Sequence, residues 1–209
     1  MPGKACSPCS TTTYMSDLIC ITNRTLCGTN FLGQIRKIAE ARPYAILLRE
    51  KDLPEYEYRA LAGQVLAVCR TYGVRCILHT FTETAMRLHA DALHLPMHLL
   101  RDLNNTQKAR FSRLGASCHS ISDAEEAEAL GCTYITAGHI FATDCKKGAP
   151  PRGLSFLADV CGAVHIPVYA IGGMTGKNHS LALRAGAAGS CIMSGAMSCK
   201  NPAAYFKTF

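Results

Sequence analysis

Tryptophan is absent from the 209 residues, and aromatic residues of all kinds make up only 7%. The basic residues are scattered, so there is no aromatic-basic platform for nucleic-acid bases, and nucleic acid is not expected as a partner. No apolar run approaches the roughly 20 residues needed to cross a bilayer, so no membrane association is expected either. The stretch from Met1 to Thr13, rich in Ser, Thr, Pro and Cys, lacks the apolar centre of a secretory signal. That points to a cytoplasmic protein. No GxGxxG follows the first strand-like run, which argues against an open dinucleotide-binding sheet.

Metal-ligand spacing is almost as scarce, despite 12 cysteines. Cys6-Ser7-Pro8-Cys9 has the spacing of a ligand pair, but no second pair or His pair completes it, leaving at most a weak surface site. The other cysteines sit singly, mostly in apolar runs, and read as buried free thiols. The formal net charge of +7 fits a basic protein that attracts phosphorylated small molecules.

What is present is alternation. Strand-like runs occur at 18–22, 44–48, 74–78, 92–95, 113–117, 133–137, 168–171 and 190–193. Several are continuously apolar, as strands buried on both faces are. Helix-length segments lie between them: 31–41, 54–72, 83–89, 102–110, a segment from a Ser122–Glu125 capping box to Gly131, 154–162, 177–185 and 196–206. Eight such units predict an α/β protein of the (β/α)8 TIM-barrel class, with a doubly wound sheet as the alternative. The expectation is a single TIM-barrel domain over 1–209, with 1–14 a flexible N-terminal segment. A barrel often exposes a face that supports a homodimer.

In a parallel barrel, chemistry gathers where strands end. The segment Gly138–Gly148 follows the sixth strand and places His139 ahead of Thr143, Asp144, Cys145, Lys146 and Lys147. His139 is the candidate proton carrier, because an imidazole titrates near neutrality. After the second strand, Arg49-Glu50-Lys51 places two cations around a carboxylate that could orient them. The third and fourth strands contribute His79-Thr80 and His94, and the fifth Ser117-Cys118-His119. Gly172-Gly173 and Ser194-Gly195 follow the last two strands, where small residues let backbone N–H groups approach a phosphate. The substrate-binding set is therefore Arg49, Lys51, Ser117, His119, Thr143, Lys146, Gly172, Gly173, Ser194 and Gly195. His89, His165 and His179 fall on helices or before strands and receive no role. No Asp-rich pair follows the third or fourth strand, so no metal site is expected there.

The motifs Leu48-Arg49-Glu50-Lys51, Gly115–His119, the sixth-strand loop, Gly153, Ile171–Thr175 and Ala185–Gly189 together resemble the thiamine phosphate synthase / TenI superfamily. The resemblance implies a (β/α)8 barrel and one of two activities. A synthase of this family joins a pyrimidine diphosphate to a thiazole phosphate with Mg²⁺. It looks for Gln where Leu47 stands, Asn-Asp where His79-Thr80 stand, and Asp within the Pro96–Leu99 position. A thiazole tautomerase of the TenI branch needs a histidine such as His139, where the synthase usually has Pro. On these departures the expectation is the tautomerase: cofactor-free, with His139 catalytic and a phosphorylated thiazole as substrate. The synthase and a non-catalytic thiazole or thiamine phosphate-binding regulator are the alternatives.

Overall fold

The structure, a computed structural model, describes residues 17–146 and 148–209, apart from the Cys145 side chain. The N-terminal segment, the Cys6/Cys9 pair and Lys147 lie outside the described residues. Eight parallel strands close into a barrel in sequence order. They are β1 Leu18–Ile21, β2 Ala45–Leu48, β3 Arg75–His79, β4 Ala92–Pro96, β5 Arg113–Cys118, β6 Tyr134–Gly138, β7 Val168–Ile171 and β8 Gly189–Ile192. The ring closes where Leu18–Cys20 of β1 pair with Ser190–Ile192 of β8.

The helices are α1 Phe31–Glu40, α2 Glu55–Tyr72, α3 Thr82–Arg87, α4 Met97–Arg101, α5 Asn105–Lys108, α6 Ile121–Ala129, α7 Gly153–Ala163, α8 Gly176–Arg184, α9 Ser194–Ser198 and α10 Pro202–Phe206. None among the described residues is long and apolar enough to cross a membrane. Local chemistry explains most of the helix ends. Asn30 accepts from Gly33 N at the start of α1, and Gly73 closes α2 in the left-handed conformation.

Three expected helix boundaries are corrected. The cap of α6 is Ser120, whose hydroxyl accepts from Asp123 N, rather than Ser122. Asp123 turns its carboxylate to His119 N instead. The segment 196–206 divides into α9 and α10, because Asn201 caps a new helix with Pro202 in its first turn. The segment 102–110 contributes only the short α5, preceded by α4 at the end of β4.

Strand alternation generates two cores. One face of each strand packs outward against the helices, in a large cluster that includes Leu18, Ile46, Leu78, Leu93, Ile135 and Val160. The other face fills the barrel interior with Ile19, Leu47, Ile77, Tyr134, Tyr169 and Cys191, among others. Tyr134 meets Tyr169 edge to face at 6.0 Å between ring centroids, and Tyr169 stacks on Tyr44 at 5.5 Å. Gly115 of β5 lies against the Tyr134 ring, so this aromatic floor depends on a residue without a Cβ. The cysteines follow the expected pattern: the nine described free thiols include six that are buried.

Candidate active site at the barrel mouth

The alternation that sends Ile77, Ala92 and Gly115 inward sends His79, His94 and Ser117 inward two residues later, at the C-terminal rim. His79 and His94 are register partners on β3 and β4, with ring centroids 5.9 Å apart. His94 is bridged between Tyr134 Oη, 3.0 Å from Nδ1, and Ser117 Oγ, 2.9 Å from Nε2. His79 Nδ1 is hydrogen-bonded to the Thr80 hydroxyl. The histidine pair thus connects the aromatic floor to the open end.

Both imidazoles are held neutral. Burial first, then His94, Arg49 and Lys51, lowers the His79 pKa to about 2, while burial and then Arg49 lower that of His94 to about 3. Between those values and the unfolded value near 6.5, the unfolded chain binds more protons, so stability rises with pH. The contribution is full above about pH 6.5 and drains away as pH falls through that value. The expected loss between about pH 7.5 and about pH 5.5 is roughly 3 kcal/mol for the pair. Urea unfolding at the two pH values measures it, and replacing both histidines with Asn should remove most of the difference. An unchanged slope in the double variant would refute the assignment.

Arg49 and Lys51 leave the end of β2. Their backbone is anchored because Arg49 N donates to Thr22 Oγ1 at 3.0 Å, while Thr22 Oγ1 donates to Glu50 Oε1 at 2.6 Å. Glu50 therefore has a different job from the one expected of it. It is buried, and its other oxygen accepts from Arg24 N at 3.1 Å and pairs with the Arg24 guanidinium at 3.5 Å. The carboxylate ties the β2 end to the β1 loop, where Arg24 also pairs with Asp52 at 2.6 Å. Lys51 instead feels cations: Arg49 first, then partial burial, then Lys146 lower its pKa. Loops after β2 and β6 accordingly bring Arg49, Lys51 and Lys146 to one positive region, beside His79.

The β6 and β7 loops interlock. Ile140 N donates to Ile171 O, and Phe141 N to Gly172 O. Gly172 and Gly173 both have positive φ, +97° and +64°. A Cβ on Gly172 would overlap that of His139, and one on Gly173 would overlap Ala142 O. Thr175 and Asn178 then form a capping box that starts α8. His139 itself is buried, with Nε2 3.3 Å from Ala149 O. His119 is exposed and its Nδ1 lies 3.0 Å from Gly138 O, so it borders the same loop. Thr143 is half-buried and Lys146 exposed beyond them, while Ser194 opens α9 on the far side with Gly195 against Tyr205. Sequence reasoning missed the inward-facing status of His79 and the Thr22–Glu50–Arg24 anchor. The signal for the histidines was their matching position at the ends of consecutive strands.

A family model described as thiamine monophosphate synthase (TMP-TENI) matches residues 18–196. The chain belongs to this family. A putative thiamine-phosphate synthase 2 of Aquifex aeolicus is 34% identical over 82% of this chain and 92% of its own length. A thiamine-phosphate synthase of Desulfitobacterium hafniense (strain DCB-2) is 31% identical over 91% and 93%. Among solved structures, a thiamine phosphate pyrophosphorylase from Pyrococcus furiosus superposes with a TM-score of 0.78 at 27% identity, covering 92% of both chains. These relatives overturn the tautomerase expectation: the names they carry are those of the synthase. The proton-carrier role given to His139 belonged to that reaction and goes with it.

The Mg²⁺ that the family resemblance implies does not fit the residues at this mouth. Magnesium wants oxygen ligands, carboxylates above all. Leu47 is sealed in the interior core, neutral His79 and His94 present nitrogen, and Glu50 is committed to Thr22 and Arg24. Among the described residues no group of three His, Cys, Asp or Glu side chains is placed to hold a metal ion.

Proposed function

We propose that this protein is a thiamine-phosphate synthase, a transferase that condenses a pyrimidine diphosphate with a thiazole phosphate. The observation that carries the reading is the agreement of relatives at 31–34% identity over at least 82% of the chain, together with the family match across the barrel. The mouth supports it chemically. The reaction breaks the C–O bond between the pyrimidine methylene and the diphosphate, and forms a C–N bond from the thiazole ring nitrogen. The electron pair leaves with the diphosphate.

Two anionic groups must therefore be held apart. The β7 and β8 loops, with Gly172, Gly173, Ser194 and Gly195, receive the thiazole phosphate on backbone N–H groups. Arg49, Lys51 and Lys146 face the diphosphate, where cations stabilise the charge that grows as the bond breaks. Ser117, His119 and Thr143 border the space between, and Ser117 is oriented by its hydrogen bond to His94. Glu50 holds the Arg49–Lys51 turn in place through Thr22.

Incubating the purified protein with both substrates, and following product by mass spectrometry, tests the assignment. Thiamine phosphate and inorganic diphosphate should accumulate in equal amounts. Failure to form either, with and without added Mg²⁺, would rule the synthase out.

A further inference from the structure

We propose that the C-terminal segment, α10 and the turn through Phe209, is a strut that fixes the β7 and β8 loops relative to one another, with Tyr205 a positioning residue for the phosphate of the thiazole substrate. The inference rests on the synthase reading, which seats that phosphate on the two loops, and adds to it a part of the chain that follows the barrel. Two glycines reveal the contact. Gly176 begins α8 after the β7 loop, and Gly195 lies where the β8 loop enters α9. Neither has a positive φ, so backbone conformation does not call for glycine at either position. Room does. A Cβ on Gly195 would overlap the Tyr205 hydroxyl, and one on Gly176 would overlap the Thr208 carbonyl oxygen. One short segment therefore fills the space left open at both loops.

The contacts continue inward from there. Asn178 Nδ2, in the first turn of α8, donates to Gly173 O at 2.9 Å, so the glycine loop and α8 are tied together. On the other loop, buried Gln34 of α1 grips α9: its Nε2 donates to Ala196 O at 2.8 Å and to Cys199 O at 3.0 Å. The segment is itself anchored. Asn201 caps α10 by accepting from Ala204 N at 3.1 Å, Phe206 is buried, and Thr208 Oγ1 donates to Tyr205 O at 2.7 Å. The Phe209 ring lies 5.5 Å from that of Tyr205 and 5.5 Å from that of His179 on α8, centroid to centroid. His179 Nδ1 is hydrogen-bonded in turn to Ser190 Oγ of β8 at 2.9 Å. Close-packed contacts of this kind pass a displacement on instead of absorbing it. A site whose loops are fixed before the ligand arrives loses less affinity to ordering.

The probe is thiazole phosphate, titrated calorimetrically into the full-length protein and into Tyr205→Leu, Tyr205→Phe and Phe209→Ala. Each variant also receives a urea unfolding curve and steady-state kinetics in both substrates. Tyr205→Leu and Phe209→Ala should each weaken thiazole phosphate binding by about tenfold and raise its KM to match. The kcat and the KM for the pyrimidine diphosphate should change by less than about twofold. Tyr205→Phe keeps the ring against Gly195 and should retain most of the affinity. Two substitutions at separate points of the segment mean that one variant failing to fold leaves the other to decide. Thiazole phosphate binding within about twofold of wild type in the folded variants, whatever their stability, overturns the strut. An equal loss for both substrates overturns it as well. A wild type that binds thiazole phosphate without turnover overturns the synthase reading, and the variant titrations still decide the strut. A wild type that does not bind it overturns both.

Discussion

Replacing Gly173 with Ala is expected to lower kcat/KM for the thiazole phosphate by about a hundredfold and to cost about 3 kcal/mol of stability. Two effects add. The residue sits at φ +64°, where an L side chain costs roughly 1–2 kcal/mol. The new methyl would also point into Ala142 O and the Phe141 Cβ, which are backbone-fixed neighbours rather than the end of a flexible chain. Relief requires moving either the β7 loop or the β6 loop, and Phe141 N is hydrogen-bonded to Gly172 O at 3.0 Å, so one drags the other. The loop proposed to present N–H groups to phosphate would then be displaced, and KM should rise more than kcat falls. Steady-state kinetics at varied thiazole phosphate, with a urea unfolding curve for the same variant, separates the two losses. A variant with wild-type KM would show that the β7 loop does not carry the phosphate.

The second large effect lies beneath the site. Gly115→Ala should destabilise the barrel by about 3 kcal/mol, because the added Cβ falls within the Tyr134 ring. Tyr134 is 4% exposed and has no space to retreat into: Tyr169 closes one side and His94 is hydrogen-bonded to its hydroxyl. The two positions share one volume, so their substitutions should be strongly non-additive. Tyr134→Val alone leaves a cavity and an unpaired His94 nitrogen. Adding Gly115→Ala to it should recover stability instead of subtracting from it. Denaturant unfolding of the wild type, both single variants and the double variant gives the coupling directly. Simple additivity would mean that the barrel floor is loosely packed.

Several of the eight strands were legible because they are short, nearly continuous apolar runs, such as Leu18–Ile21 and Ala45–Leu48, and burial on both faces allows little else. Every strand lies within two residues of its expected limits. Helix starts were less legible where two cap-competent residues compete: Ser120 and Ser122 both precede acidic residues, and only the backbone decides which hydroxyl accepts. The residue types of the mouth were also visible, from Arg49 to Gly195. Their directions were not. Glu50, between two cations in sequence, faces the opposite way because alternation along the chain end separates it from both, and Thr22 draws it to β1. His139 illustrates the same limit. A histidine after a strand suggested proton transfer, yet its ring is buried with Nε2 toward the Ala149 carbonyl. Reading the reaction from that residue type led to the tautomerase, whereas the relatives that match along the chain carry the synthase name.

The tyrosines inside the barrel make the site a cup. Among the described residues, Tyr44, Tyr134 and Tyr169 close its base, and the rim above His79 and His94 is the open end. On the proposed synthase reading, two substrates and two products would share one doorway. The molecule seated deeper would then have to arrive before the other and could not depart until its neighbour had gone. Traffic through the protein would thus acquire an order from a wall that touches none of the reacting atoms.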